Sequence, residues 1–287
     1  MTNYEFYVLT KQKLDHMAEV RGLSDTEINK YYGLTDRYCQ FYSDTALSEI
    51  GKVFAQIAFH AQNGTMISSI IKFDVNYDKM KIITYNFNPS AFLAVYGGQD
   101  GVDKLVCAFK SQGFKWDSSK SKEKNKDGIV KRYSTTLIGA ANYLSEKPDR
   151  EAILNELRGW LPADRDYSVL IKKFRKEMKA GFGVALACDF IKEFNEEFSD
   201  LIKPDAHLVD VMNAFRNFEY GKNDKTKLQL VSDVQEMVKD INRELKSRGE
   251  DEITAYKLDR MIWLVCSDNF YLHQTGSLKA NFISEIQ

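Results

Sequence analysis

One short stretch holds the residue types that chemistry on a sugar–phosphate polymer would need. Lys203-Pro204-Asp205-Ala206-His207-Leu208-Val209-Asp210-Val211-Met212 puts a carboxylate, Asp205, where a helix should begin. Leu208, Val211, Met212 and Phe215 then form an apolar stripe at helical spacing. As plain structure, Asp205 is a good helix cap. The dipole of the helix it caps is expected to favour its ionised form. A carboxylate kept ionised beside a polyanion repels it and so needs a reason. Glycosidic bond cleavage supplies one, because the departing base leaves an oxocarbenium-like sugar. A carboxylate can stabilise that charge or activate the attacking water.

Upstream lies a segment suited to holding such a polymer. Lys179-Ala180-Gly181-Phe182-Gly183-Val184-Ala185-Leu186-Ala187 has the form of a tight turn between two helices. Gly181 and Gly183 are expected to adopt backbone angles closed to other residues, with Phe182 plugged into the core. The second helix runs through Val184, Ala187, Phe190, Ile191 and Phe194. Its first turn offers backbone N–H groups and the positive end of a dipole, an anion site fit for one phosphate. The helix before the turn carries Lys172, Lys173, Arg175, Lys176 and Lys179 against one acid, Glu177. Such cations add affinity without reading sequence. A turn of this form is also an ordinary helix–helix corner, and it is the cationic helix leading into it that favours DNA.

These elements must sit in a chain of 287 residues with 44% hydrophobic content, enough for one large domain or two intimate lobes. With 4 prolines and 16 glycines, no stretch reads as a free linker. The formal net charge is −1, so nucleic-acid binding has to come from local clusters. No run of apolar residues is long enough to span a membrane. The opening MTNYEFYVLTKQKLDHMAEVRG lacks a secretory pattern, so a cytoplasmic location is expected. Cys39, Cys107, Cys188 and Cys266 form no CxxC pair and are expected to be buried, reduced thiols. His16, His60, His207 and His273 make no HxxxH or HExxH pattern, so neither metal nor cofactor is expected.

Periodicity predicts a mainly α protein. Ala46–Phe73 reads as one or two helices broken at Asn63-Gly64, and Ala91–Tyr96 and Val102–Phe109 as short helices divided by Gly97-Gly98. Lys79–Asn88 is ambiguous between strand and helix. Lys115–Arg132, with seven basic residues against three acidic, is expected to be an exposed loop. Further helices are expected over Tyr133–Leu144, over Glu151–Leu161 with Asp149 as cap, over Tyr167–Lys179, over Lys227–Arg248 and over Thr254–Val265.

The hairpin and the aspartate together resemble the helix-hairpin-helix DNA glycosylase superfamily. That family shows a hairpin of the form LPGxGxxTA followed by an aspartate in a context like VDTHxxRV. Here Met178–Ala187 matches the hairpin and PDAHLVDV (Pro204–Val211) the aspartate segment, with Asp205 standing 22 residues after Gly183. The resemblance covers roughly forty residues and implies two helical lobes with the active site in the cleft between them. It divides the chain into 1–132 as an N-terminal lobe with an insertion, 133–220 as the catalytic lobe and 221–287 as C-terminal helices. It makes Asp205 the catalytic residue and gives Lys176, Lys179, Gly181, Gly183 and Ala185 to DNA binding.

Bifunctional members carry a lysine in the hairpin that attacks the sugar. Ala185 stands there, which implies a monofunctional, water-using enzyme, with Lys179 and Lys203 the nearby amines to test. The four-cysteine run that binds an iron–sulfur cluster in several members is absent. The segment Phe59-His60-Ala61-Gln62-Asn63-Gly64-Thr65 resembles the place where the family keeps a glutamine that fills the gap left by an extruded base, making Gln62 that candidate. The implied partner is double-stranded DNA, bound by a monomer that flips a modified or damaged base into a pocket and leaves an abasic site. Tyr85, Phe87, Phe92, Tyr96, Trp116 and Trp160 are the aromatics available to such a pocket. The implied role is DNA repair or antiviral defence. Glucosylated hydroxymethylcytosine of phage DNA, oxidised guanine and alkylated purines all stay open as targets. So does a non-catalytic helix-hairpin-helix protein that only binds DNA.

Overall fold

The computed structural model describes residues 1–24, 40–63, 67–116, 126–178, 182–267, 269–270, 273–274 and 278–287. Among these residues the chain is mainly α-helical, with a single two-residue antiparallel ladder, Asn269–Phe270 against His273–Gln274. It divides into two compact units: Met1–Thr35 with Ile191–Gln287, and Asp36–Phe190. The boundaries expected at residues 132 and 220 do not coincide with this division. The N-terminal helix belongs with the C-terminal third because Phe6, fully buried, packs against Phe215 and Phe282 at centroid distances of 4.5 and 5.8 Å.

In the second unit the helices are α2 (Gln40–Ser43), α3 (Glu49–Gln62), α4 (Ile67–Ile71), α5 (Tyr77–Ile83), α6 (Pro89–Tyr96), α7 (Gly101–Ser111), α8 (Lys126–Ser145), α9 (Arg150–Trp160) and α10 (Tyr167–Met178). The helix α11 (Val184–Phe194) starts in this unit, and the division falls inside it. Local chemistry sets several starts. Ser48 Oγ accepts the Gly51 amide, Asn88 Oδ1 the Ala91 amide and Asp149 Oδ1 the Ala152 amide. The helix α8 is the hub, with α3, α4, α6, α7 and α10 packed on it. It begins at Lys126, so the final part of the lysine-rich stretch expected as loop is helical through Arg132. Ile129 and Val130 explain why, since both are buried at helical spacing with Tyr133 and Leu137. Cys107 is exposed, against the expectation of a buried thiol, while Cys188 and Cys266 are buried. Cys39 lies outside the described residues.

Lys79–Asn88 resolves into the end of α5 and a turn with three successive left-handed residues, Tyr85, Asn86 and Phe87, at φ 54, 55 and 52°. A Cβ disfavours that region by about 1–2 kcal/mol per residue. Two anchors offset the cost. Phe87 is fully buried against Phe54, Phe73 and Tyr77. Thr84 Oγ1 accepts the Phe87 amide, and the Asn86 amide reaches Lys81 O at 2.7 Å.

The first unit comprises α1 (Asn3–Val20), the end of α11, α12 (Ala206–Arg216), α13 (Asp224–Ser247), α14 (Ala255–Cys266) and α15 (Lys279–Ile286). Reciprocal capping boxes start α1 and α13. The helix α14, capped by Thr254, packs on α1, α12, α13 and α15 and is buried on nearly every side. Between α12 and α13 the chain turns at Gly221, φ +85°, where a Cβ would stand 2.7 Å from Val209 Cγ1 on α12. The Asn213 side chain accepts the Tyr220 amide at 2.6 Å and locks the turn to α12.

Gly249, φ +72°, ends α13 with open space where its Cβ would be. Gly249→Ala should therefore cost about 1 kcal/mol for backbone conformation alone. Gly221→Ala should cost a further ~1–3 kcal/mol for overpacking against Val209. Urea denaturation of the two variants checks this, and equal losses would remove the steric role given to Gly221.

Candidate active site

The turn that delivers Asp205 is built from its neighbours. Pro204 has no amide hydrogen and a fixed φ, so it suits the centre of a tight turn. The Asp205 N–H donates back across it to Lys203 O at 2.7 Å. Asp205 itself is extended, φ −87° and ψ −179°, and caps α12 as expected: Oδ1 accepts the His207 and Leu208 amides at 2.9 and 3.1 Å.

The direction in which the site shifts this carboxyl is opposite to the one expected from the helix end alone. Burial raises the carboxyl of Asp205 above its ordinary value, and the neighbouring charge of Asp259 adds to the rise. Lys203, the Leu208 amide and His207 pull the other way without overcoming it. The helix dipole and the cap amides act locally, whereas a second carboxylate arrives from α14.

That second carboxylate is Asp259, 3% exposed in the middle of α14. Burying a charge this far from water needs compensation. Lys192, on α11 and equally buried, donates from Nζ to Asp259 Oδ2 at 2.6 Å. The Lys203 N–H donates to the same oxygen at 3.0 Å. The Lys192 ammonium also lies 5.0 Å from the centre of the Tyr256 ring. Sequence reasoning singled out neither residue. The available hint was Lys192 beside Glu193 within Phe190–Phe194, and Asp259 beside Arg260 among the apolar residues of Leu258–Val265.

Other groups near Asp205 are less reactive. Burial pushes the Cys266 thiol up to about 12, with Asp205 and Asp210 adding to the rise, so it carries no thiolate at neutral pH. Lys279 pairs with Asp210 at 2.5 Å. His207 keeps Nδ1 buried, with no hydrogen-bond partner among the described residues. Among the described residues no group of three or more His, Cys, Asp or Glu could hold a metal ion.

The hairpin residues and Gln62 belong to the other unit. Lys179 and Gly181 lie outside the described residues. On α10, Lys172, Lys173 and Lys176 are exposed. Arg175 turns inward, and its Nε donates to Phe182 O at 3.1 Å. Phe182 is buried against Phe174, which stacks on Phe190, so the expected plug is present. Gly183 stands at the cap position immediately before α11, its carbonyl accepting the Ala187 amide at 3.0 Å. It is exposed, its φ is not positive and a Cβ there would meet nothing within 4 Å. The backbone strain expected of Gly183 is therefore absent. A glycine there brings no side-chain acceptor to the first amides of α11. Ala185 is part-exposed in the first turn of the helix.

Gln62 does not fit the gap-filling role. It is the last residue of α3 and 5% exposed, and its Oε1 accepts the Phe73 amide at 2.9 Å. That bond satisfies a buried backbone donor and uses the side chain inside the unit. Among the aromatics considered for a base pocket, Phe87, Phe92 and Tyr96 are core, whereas Tyr85 is 43% exposed. Trp116 lies beneath the Lys110 ammonium at 5.1 Å, and Trp160 neighbours Tyr143.

Comparison of the chain with protein-family models, with curated proteins and with solved structures finds no match. Among the described residues, no helix is long and apolar enough to cross a membrane.

The raised carboxyl of Asp205 has a consequence for stability. A group whose pKa is higher in the folded state favours folding at low pH, and that contribution is lost as pH rises through the folded value. Asp205→Asn keeps an oxygen for the two amides and deletes the charge. The variant should thus melt above the wild type in mildly alkaline buffer. The difference should shrink as pH falls below the ordinary carboxylate range. A variant that melts lower than wild type under alkaline conditions would contradict the stated cost of ionised Asp205.

Proposed function

We propose that this protein is a monofunctional DNA glycosylase of the helix-hairpin-helix type, acting on a modified or damaged base extruded from double-stranded DNA. The observation that carries the reading is Asp205. A serine or asparagine would cap α12 as well. Keeping a carboxylate there, part-buried beside Asp259, works against stability at neutral pH, which is the mark of a group retained for chemistry.

In the proposed reaction the bond between the sugar C1′ and the base nitrogen breaks, and its electron pair leaves with the base. The sugar becomes oxocarbenium-like, and ionised Asp205 offsets that charge. Water adds at C1′ and gives its proton to the carboxylate, leaving an abasic site. Support for DNA as substrate comes from the exposed Lys172, Lys173 and Lys176 and from Gly183, which leaves the first amides of α11 open to a phosphate. Ala185 has no amine to form a Schiff base, which favours water as the nucleophile.

The test is mass spectrometry of bases released from damaged, genomic and phage DNAs. Asp205→Asn should lower abasic-site formation by about 10²- to 10⁴-fold while leaving DNA affinity intact. Release of no base from any of these DNAs by the wild type, with affinity retained, would favour a non-catalytic DNA-binding protein instead. Borohydride trapping of a covalent adduct would overturn water as the nucleophile.

The phosphate site has a separate check. Gly183→Asp supplies a side-chain cap and should raise stability by only about 0.3 kcal/mol, since glycine is itself a tolerable cap residue. The new carboxylate would also repel a phosphate. DNA binding should weaken, and the slope of log affinity against log salt should become shallower by about 0.9, the share of a single phosphate. Unchanged binding would remove the α11 end from the interface.

A further inference from the structure

The pair Lys192–Asp259 is buried at 2% and 5% side-chain exposure, yet stability does not explain it. Replacing such a pair by apolar residues of similar volume is often neutral or stabilising. What distinguishes this pair is what else Asp259 holds. Its Oδ2 accepts both Lys192 Nζ and the Lys203 N–H. The carbonyl of the same Lys203 accepts the Asp205 N–H. Asp205 Oδ1 then takes the His207 and Leu208 amides. A continuous run of hydrogen bonds therefore leads from the Lys192 ammonium, through one carboxylate oxygen, to both sides of the Lys203–Asp205 turn.

We infer that Asp259 and Lys192 are positioning residues for Asp205: Asp259 pins the turn that aims its carboxylate, and Lys192 offsets part of the charge that Asp259 imposes on it. The inference rests on the reading of Asp205 as the catalytic group. It gives each member of the pair a distinct job. Asp259 alone would hold the turn but repel a second carboxylate. Lys192 alone would compete to pair with Asp205 and draw it off its cap. Only the two together combine a fixed turn with an ionisable Asp205.

The other charged or titratable groups around this corner are Lys203 and His207 on the turn and α12, Cys266 on α14, and the Asp210–Lys279 pair joining α12 to α15. All are retained in the variants that test the idea: Lys192→Met, Asp259→Asn and the double variant. The double variant removes both charges together, so it keeps the test open if either single variant folds poorly. Two readouts are needed. The first is a ¹³C NMR titration of the Asp205 carboxyl in aspartate-labelled protein, assigned with Asp205→Asn. The second is kcat, KM and the acid limb of the pH–rate profile on whichever DNA releases a base.

The expected result is opposite movement. Lys192→Met should shift the Asp205 titration and the acid limb to higher pH, and Asp259→Asn should shift both lower. The double variant should return close to wild type. Both single variants should lose about 10- to 100-fold in kcat with KM unchanged, the effect of misplacing a reacting group. A scaffolding role would lower thermal stability without opposite shifts, so shifts in the same direction, or none, overturn the inference. Opposite NMR shifts in a protein that releases no base from any DNA would overturn the glycosylase reading and leave the coupling between the pair and Asp205 standing.

Discussion

A carboxylate in the middle of a helix that is buried on nearly every side sets the terms for the first unit. Asp259 cannot be solvated in α14, so its partners must come to it, and two do: the Lys192 ammonium from α11 and the Lys203 amide from the connection into α12. Two stretches of chain, 67 and 56 residues before Asp259, are thereby fixed to one oxygen. The chain from Lys203 onward has little freedom left: Pro204 restricts the turn, the Asp205 amide closes it and the Asp205 carboxylate caps α12. At the far end of α12, Gly221 lets the chain pass close against Val209. Asp205 is thus held from behind by a buried charge pair and from ahead by a rigid helix.

That arrangement explains why a helix cap carries an unfavourable ionisation. Two amides and a helix dipole would ordinarily hold an aspartate in its charged form. Burial and the second carboxylate outweigh them. The result is a charge that the surrounding fold tolerates at the expense of stability, in a place where an amide side chain or a hydroxyl would serve structure equally well.

What could be read from the sequence follows the range of the interaction that decides it. Helix starts at Asp149, Asp205 and Thr254 were legible because a cap bonds to amides two or three residues away. The plug made by Phe182 was legible because it sits between glycines in a short turn. Asp259 was not, because the adjacent charges Asp259 and Arg260 in LDRMIW look like the polar face of an amphipathic helix until α1, α12, α13 and α15 cover it. Lys192 in FIKEF is the same case. The fate of Gln62 turned on the amide of Phe73, eleven residues away, which no spacing rule connects to it. The left-handed turn at Tyr85–Phe87 contains no glycine to announce it, and tertiary burial of Phe87 is what makes it tolerable. The lysine-rich stretch misled in the opposite direction, since its charge hid the helical spacing of Ile129, Val130 and Tyr133.

Gly183 and Gly221 look alike on paper and answer to different pressures. Gly221 is held by the molecule itself, since any side chain there meets Val209 on a backbone angle that L residues avoid. Gly183 has room for a side chain and an ordinary backbone angle, so nothing inside its unit forbids replacement. In a lineage that drifts away from whatever meets the start of α11, Gly221 would persist and Gly183 would be free to vary. The two positions thus form a natural gauge across descendants of this chain, one recording inheritance of the architecture and the other recording whether its use was inherited too.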